Sequence, residues 1–390
     1  MIKYALLGGA AWVLYPIADN KIKFYHAETP KNKQLIESIP TLAKGSFFPT
    51  IWIPGGFLQA LLGSGRTRMK NDLKFTESVL YQRELITLED GGTYSVDWVM
   101  GNEMPDNNKI LLIVPGLTGG SEAPYIKNPV KIAQDKGYRV GVVHGRGICG
   151  TPLTTLKPNL LGDSKDLGFA IQHIHKKYPD APIVALGTSM GGNLVLKYAG
   201  ESGNDCLLKG ISVISTPFDI AICARYLKKN WPKSRIADMY LTKSILNMIT
   251  RHEDFYEAWE KDFGVSMDTA IKVERSFDFD LHFTCKVLGH NDPEDYYEYS
   301  SCVSYLNKIK VPVFALSSMN DPVVTNKCIP YDEFKSNPNL ILAVTRTGGH
   351  IGWFTGQFKA ERWYAHPTLE FLDKAIENPL NKLSISLQNN

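Results

Sequence analysis

The sequence predicts a doubly wound α/β fold, a mostly parallel sheet with an inserted helical cap, on three observations. Six strand-length runs, Lys109–Val114, Arg139–Val143, Pro182–Leu186, Lys209–Ser215, Val311–Ser317 and Leu340–Thr345, are rich in Val, Ile and Leu and lack polar alternation. That is the pattern of strands buried on both faces. Helical stretches, Ile126–Lys136, Gly162–Lys177, Met190–Gly200 and a region after Asn326, fall between them, so βαβ crossovers join the strands. The long interval from Ser215 to Val311 holds no strand run but many helix formers and aromatics, among them Phe255, Tyr256, Trp259, Phe277, Phe279 and Phe283.

Taken in order, the chain begins with an uncharged run from Tyr4 to Ala18, flanked by Lys3 and by Asp19, Lys21 and Lys23. As a helix it spans about 22 Å, short of a hydrocarbon core of about 30 Å; Met1, Ile2 and a snorkelling Lys3 narrow the gap. Residues 1–20 are therefore expected to be an N-terminal membrane anchor. A cleaved signal peptide and a buried or interfacial helix are the rival readings; Tyr15-Pro16-Ile17-Ala18 is a poor cleavage site. The flanking lysines give no side preference. Residues 21–80 form an arm, in which Phe47 to Leu62 is apolar but carries Pro49, Pro54, Gly55 and Gly56. Those breakers point to a docked arm or lipid-side flap rather than a membrane span. Gln82–Leu88 and Thr93–Val99, joined through Asp90-Gly91-Gly92, read as an opening hairpin. The core is then expected over 81–216 and 306–380, with 217–305 as the helical cap.

Composition narrows the function. A net charge of +3, with basic residues scattered, excludes a nucleic-acid binder. The six cysteines form no C-x-x-C pair, which argues against a zinc or redox motif and for reduced thiols.

The chemistry lies in Gly187-Thr188-Ser189-Met190-Gly191-Gly192, which follows a buried strand and opens a helix. A G-x-S-x-G in that context is a nucleophile elbow, lifting the Ser189 hydroxyl above the sheet. A serine hydroxyl is a weak nucleophile and needs a base, oriented in turn by a carboxylate. His350, in Thr347-Gly348-Gly349-His350-Ile351-Gly352 after the last strand, is the expected base; His366 lies beyond that loop. Asp321, just past the preceding strand, is the expected carboxylate, with Asp292 and Asp295 as competitors inside the cap. The oxyanion hole is expected from the amide of Met190 and a second amide in Pro115-Gly116-Leu117-Thr118-Gly119-Gly120. Pro115 has no N–H, so Leu117 is the candidate. This chemistry calls for no metal and no cofactor. His290 to Asp295 spells H-x-x-x-x-D but lies in the cap, and Arg146 after the fourth strand reads as a structural clamp.

With these residues in place, the chain resembles the membrane-anchored α/β-hydrolase-domain family of lipases and esterases. That family includes animal phospholipases and monoacylglycerol lipases, yeast medium-chain ethyl-ester synthase/esterases and plant embryogenesis-associated proteins. Pro49-Thr50-Ile51-Trp52, Pro115-Gly116-Leu117-Thr118-Gly119, Gly187–Asn193, Asp321-Pro322 and Gly348-Gly349-His350-Ile351-Gly352 carry the likeness. The resemblance implies the α/β-hydrolase fold, Ser189, Asp321 and His350 as triad, a membrane anchor, and lipid or medium-chain acyl esters as substrates. Arg146 matches a turn of the family, whereas His144-Gly145 replaces its usual preceding residues. Three functions remain open: a lipid-ester hydrolase, an acyltransferase that passes the acyl group to an alcohol, and a silent lipid-binding protein. The first two share an acyl-enzyme on Ser189; the third has no need of all three residues.

Overall fold

The computed structural model describes residues 20–53, 55–63, 79–101, 108–159, 163–229 and 232–377. The N-terminal run expected to be an anchor lies outside them, apart from its last flanking residues. Among the described residues no helix is long and apolar enough to cross a membrane.

The strands of the main sheet are β1 (Lys23–His26), β2 (Tyr81–Thr87), β3 (Thr93–Val99), β4 (Ile110–Val114), β5 (Arg139–His144), β6 (Ile183–Thr188), β7 (Leu208–Ile214), β8 (Val313–Ser318) and β9 (Leu340–Thr345). They form one sheet in the order β1-β9-β8-β7-β6-β4-β5-β3-β2. Strands β4 to β9 run parallel, and β1 and the β2–β3 hairpin add antiparallel edges. The six unalternating runs are thus the parallel centre of the sheet. Their side chains divide between two cores: Ile110, Leu112 and Val114 face one, Leu111 and Ile113 the other. The helices Ser164–Lys177 and Met190–Ser202 contribute to the first, Pro124–Asp135 and Ala365–Glu377 to the second. This double burial is why the strands carry no polar alternation.

Strand β1 was not legible in the sequence. Its four residues pair with β9 at the sheet edge and none is buried, so no apolar run marks it.

Every element from Ile220 to Lys308 is helical, including a π-helical turn at Asp280–Thr284. These helices build a separate apolar cluster around Trp259, Phe279 and Phe283, with Leu117 packed against it. Trp259 and Phe283 meet edge-on at 5.0 Å, a favourable aromatic geometry. The cluster therefore rests on the loop after β4. All six cysteines are free thiols.

Arg146 sits in the loop after β5 with a side chain that is 6% exposed. It donates through Nε and Nη2 to Asp166 at 2.6 and 2.7 Å, and through Nη1 to Asp90 at 2.7 Å. The hairpin turn, the β5 loop and a sheet-covering helix are tied through one guanidinium. Removing one partner of such a buried pair strands the other charge. Arg146→Met is expected to lower stability by about 3 kcal/mol in urea unfolding at neutral pH. Adding Asp166→Asn to that variant should recover part of the loss; a single-variant loss within experimental error would disprove the clamp.

Candidate active site

Ser189 stands between β6 and the helix Met190–Ser202 with φ 52 and ψ −123. Its side chain makes no capping bond to that helix, so it is not there as an ordinary N-cap. The two motif glycines have a steric cause. A Cβ on Gly191 would lie 2.0 Å from the Val114 carbonyl oxygen, and one on Gly187 would lie 2.5 Å from the Gly192 Cα. Helix and strands therefore close to a distance that only glycine permits.

Two further loops reach the same point. Ser189 Oγ is 3.0 Å from His350 Nε2, and His350 Nδ1 is 2.8 Å from Asp321 Oδ2. The other Asp321 oxygen accepts from the Val323 and Val324 amides at 2.8 and 2.9 Å, which fixes the carboxylate's orientation. The His350 loop is held by its own bonds. Gly349 N donates to Asn320 Oδ1 at 3.2 Å, and Ile351 N donates to Ser215 Oγ at 3.0 Å. Serine, imidazole and carboxylate form one hydrogen-bonded line, the arrangement that lets a base take a hydroxyl proton.

Gly116 packs against the serine: a Cβ there would be 3.0 Å from Ser189 Cβ. Leu117 and Met190 both line the apolar cleft that opens on Ser189, and their amides lack an acceptor among the described residues. The sequence competitors lie elsewhere. Asp292 caps the helix Pro293–Ser300, Asp295 pairs with His290 at 3.1 Å, and His366 is exposed on the last helix. The H-x-x-x-x-D pair is thus a helix-end contact.

Several residues around the site gave no sequence signal. Asp97 accepts from Arg83 Nε and Nη2 at 2.6 and 2.8 Å, from Ser121 Oγ at 2.5 Å and from His144 Nε2 at 3.0 Å. Burial pushes the Asp97 carboxyl up, but the bonds from Arg83, His144 and Ser121 outweigh it and hold it well below the usual range. Through Ser121, and through Tyr81 Oη donating to the Ser121 carbonyl at 3.0 Å, this network grips the loop that starts at Gly116. Residues so far apart in sequence carry no motif.

Two cavities meet at the serine. One of about 900 Å³ runs from Ser189 and His350 past Tyr240 and Leu241 to Arg83 and Asp97. The other, about 90 Å³, lies under the helical segment between Ser189, Ile220, Leu227, Ile245 and Asp280. Asp280 is buried at the π-helical turn, where it accepts from Tyr297 Oη at 2.6 Å and Thr284 Oγ1 at 2.7 Å.

Residues 109–357 match the family model described as the alpha/beta hydrolase fold. The chain is 31% identical over 341 residues to human phospholipase ABHD3, covering 85% of this chain and 80% of that protein. It is 30% identical over 312 residues to embryogenesis-associated protein EMB8 of Picea glauca, covering 77% and 68%. A monoacylglycerol lipase of Saccharomyces cerevisiae is 30% identical over 269 residues, covering 68% of this chain and 59% of its own length.

Burial raises Asp280 from 3.8 to about 6, against the opposing bonds from Tyr297 and Thr284. Between those two values the folded chain holds a proton that the unfolded chain has lost, so this group's contribution to stability falls as pH rises. Asp280→Asn removes that dependence. Its stability relative to wild type should therefore improve by about 2 kcal/mol between pH 4 and pH 7.5, measured by urea unfolding. A pH-independent difference would refute the assignment.

Proposed function

The chain belongs to the α/β-hydrolase fold family, and from that premise we propose that it is a serine hydrolase of lipid carboxylic esters, working through an acyl-enzyme on Ser189. The observation that carries the reading is the 3.0 Å contact of Ser189 Oγ with His350 Nε2 at a strained elbow facing an apolar cleft. In this mechanism Asp321 accepts from His350 Nδ1–H, which leaves Nε2 free to take the Ser189 proton. Oγ then bonds to the ester carbonyl carbon, and the negative charge moving to the carbonyl oxygen is met by the Leu117 and Met190 amides. Collapse of this intermediate expels the alcohol, which takes the proton from Nε2. Water repeats the sequence, freeing the acid and restoring Ser189.

Lipid esters are the substrate class that the surroundings favour. The cleft beneath Ile220, Leu227 and Ile245 suits an acyl chain, and the larger cavity leaves room for the alcohol half. The relatives named as phospholipase and monoacylglycerol lipase act on esters of this kind. Residues 217–305 serve as the cap over the site, where chain length is selected. The run Tyr4 to Ala18 tethers the enzyme at a membrane, where such substrates reside. An acyltransferase differs only in admitting an alcohol in place of water at the second step.

Ser189→Ala should abolish both fluorophosphonate labelling and ester hydrolysis while leaving the fold intact by circular dichroism. Asp321→Asn should reduce kcat by roughly 10⁴, whereas Asp292→Asn should behave as wild type; the reverse pattern would reassign the carboxylate. Product analysis with added ethanol separates hydrolysis from acyl transfer. Deleting residues 1–20 should remove the protein from the carbonate-resistant membrane fraction and leave kcat on a short-chain soluble ester unchanged. Extraction of the intact protein by carbonate without detergent would sink the tether.

A further inference from the structure

The sequence contains no charged residue from Gly45 to Gly65, and the structure leaves part of that stretch facing solvent. Phe48, Ile51, Trp52, Phe57 and Leu61 are exposed on the arm, and Phe358 beside them is 88% exposed. Hydrogen bonds make these one surface. Thr50 N donates to the Phe354 carbonyl at 2.8 Å, Thr355 Oγ1 to the Phe48 carbonyl at 2.8 Å, and Trp52 Nε1 to the Gln357 carbonyl at 3.2 Å. Phe57 and Leu61 lie four residues apart on the helix Gly55–Gly63, hence on one face. Exposed single apolar residues are ordinary, but a contiguous aromatic and aliphatic group is not.

The opposite face of that helix packs on the catalytic loops. A Cβ on Gly56 would lie 2.0 Å from the Asn320 carbonyl oxygen, next to Asp321, and one on Gly349, next to His350, would lie 2.2 Å from the Gly56 carbonyl oxygen. The arm therefore has one side on the site and the other in solvent. Across a cavity of about 400 Å³, Phe57 faces the start of the helix Pro232–Ile249 at Lys233. That helix exposes Ile236, Met239 and Tyr240, and Tyr240 lines the large cavity leading to Ser189. Exposed apolar side chains thus lie both on the arm, beside the loops of Asp321 and His350, and on the helix that lines the large cavity.

Charge identifies what covers this face. Lys44 precedes the uncharged run, Lys359 follows Phe358, and Lys233 and Arg346 line the cavity that Phe57 borders, with Asp321 its acidic lining residue; Glu361, which pairs with Thr355 in a two-stranded ribbon, is a further acidic neighbour. An apolar centre with a tryptophan at its margin and a basic fringe is complementary to a bilayer with anionic headgroups. We propose that the arm surface of Phe48, Ile51, Trp52, Phe57, Leu61 and Phe358 docks on an anionic lipid bilayer and sets the mouth of the Ser189 cavity against it. This rests on the lipid-ester reading for its purpose, but on the exposed surface for its geometry. It is a contact separate from the N-terminal run. A lipid ester can then pass from the bilayer to Ser189 with its acyl chain shielded from water, and the arm's inner face fixes the site's distance from the membrane.

The test uses the full chain carrying Trp12→Phe, reconstituted in vesicles of phosphatidylglycerol and acyl-brominated phosphatidylcholine. Bromine quenches tryptophan that enters the acyl region, and Trp52 is the arm's reporter. Quenching that disappears when Trp52→Phe is added is the expected result. Leu61→Glu with Phe358→Glu should slow hydrolysis of vesicle lipid by about tenfold or more, since two apolar side chains no longer leave water. The same double variant should hydrolyse a short-chain soluble ester at the wild-type rate. Absence of Trp52-dependent quenching overturns the proposal. So does self-association in solution that Phe358→Glu abolishes without any quenching, which would assign the face to a second copy of the chain. If no ester is cleaved yet the quenching is present, docking stands and the lipid-ester reading falls.

Discussion

Ser189 holds a backbone conformation that a side-chain-bearing residue adopts at a cost of about 1–3 kcal/mol, and the rest of the site is arranged around what enforces it. Its amide donates to the Ile214 carbonyl of β7 at 2.8 Å, and its own carbonyl accepts from Gly192 N at 2.9 Å. Gly191 fits against the Val114 and Pro115 carbonyls at the end of β4. The turn is thus clamped by the two strands flanking β6 in the middle of the sheet, β4 wholly buried and β7 buried at every residue but Lys209. The loops that bring Leu117, Asp321 and His350 leave the same ends of β4, β8 and β9. Parallel strands deliver their carboxyl ends to one side of a sheet, and that topology makes a site from residues far apart in sequence.

The strain extends beyond the serine. Among the described residues the non-glycine positions with positive φ are Thr118, Cys149, Ser189, Ser215, Ile351 and Trp353. Each lies in a loop that follows β4, β5, β6, β7 or β9 at the site's side of the sheet. Each is also tied by neighbours: Cys149 Sγ to the Gly119 carbonyl at 3.3 Å, Ser215 Oγ to Ile351 N at 3.0 Å, and Trp353 Nε1 to Thr345 Oγ1 at 2.9 Å. Loops so over-determined hold their donors before the substrate arrives, and little reorganisation is left for the reaction itself.

What the sequence disclosed follows the same physics. The parallel centre of the sheet was legible because double burial leaves apolar runs with no alternation, and Ser189, His350 and Asp321 because each follows such a run. Helices between β7 and β8 were legible as a class, from composition and the lack of strand runs. Their internal detail was not, since the π-helical turn that buries Asp280 has no residue signature. The Arg83–Asp97–Ser121–His144 network joins four separate segments whose meeting depends on sheet order. Strand β1 escaped notice because an edge strand of four partly exposed residues need not be apolar. The arm was expected to dock, but proline and glycine positions could not say that its helix would rest on Asn320 and Gly349.

The two edges of the sheet also bear on how densely the protein can be packed. One edge is the four-residue β1, beginning with Lys23; the other is β2, which places Gln82, Arg83 and Glu84 in succession, with Arg83 and Glu84 tied into side-chain bonds. Open edges with long apolar strands recruit further strands from neighbouring molecules, and short or charged ones resist it. A nine-stranded sheet whose margins are built this way tolerates crowding of many copies without continuous cross-molecule pairing.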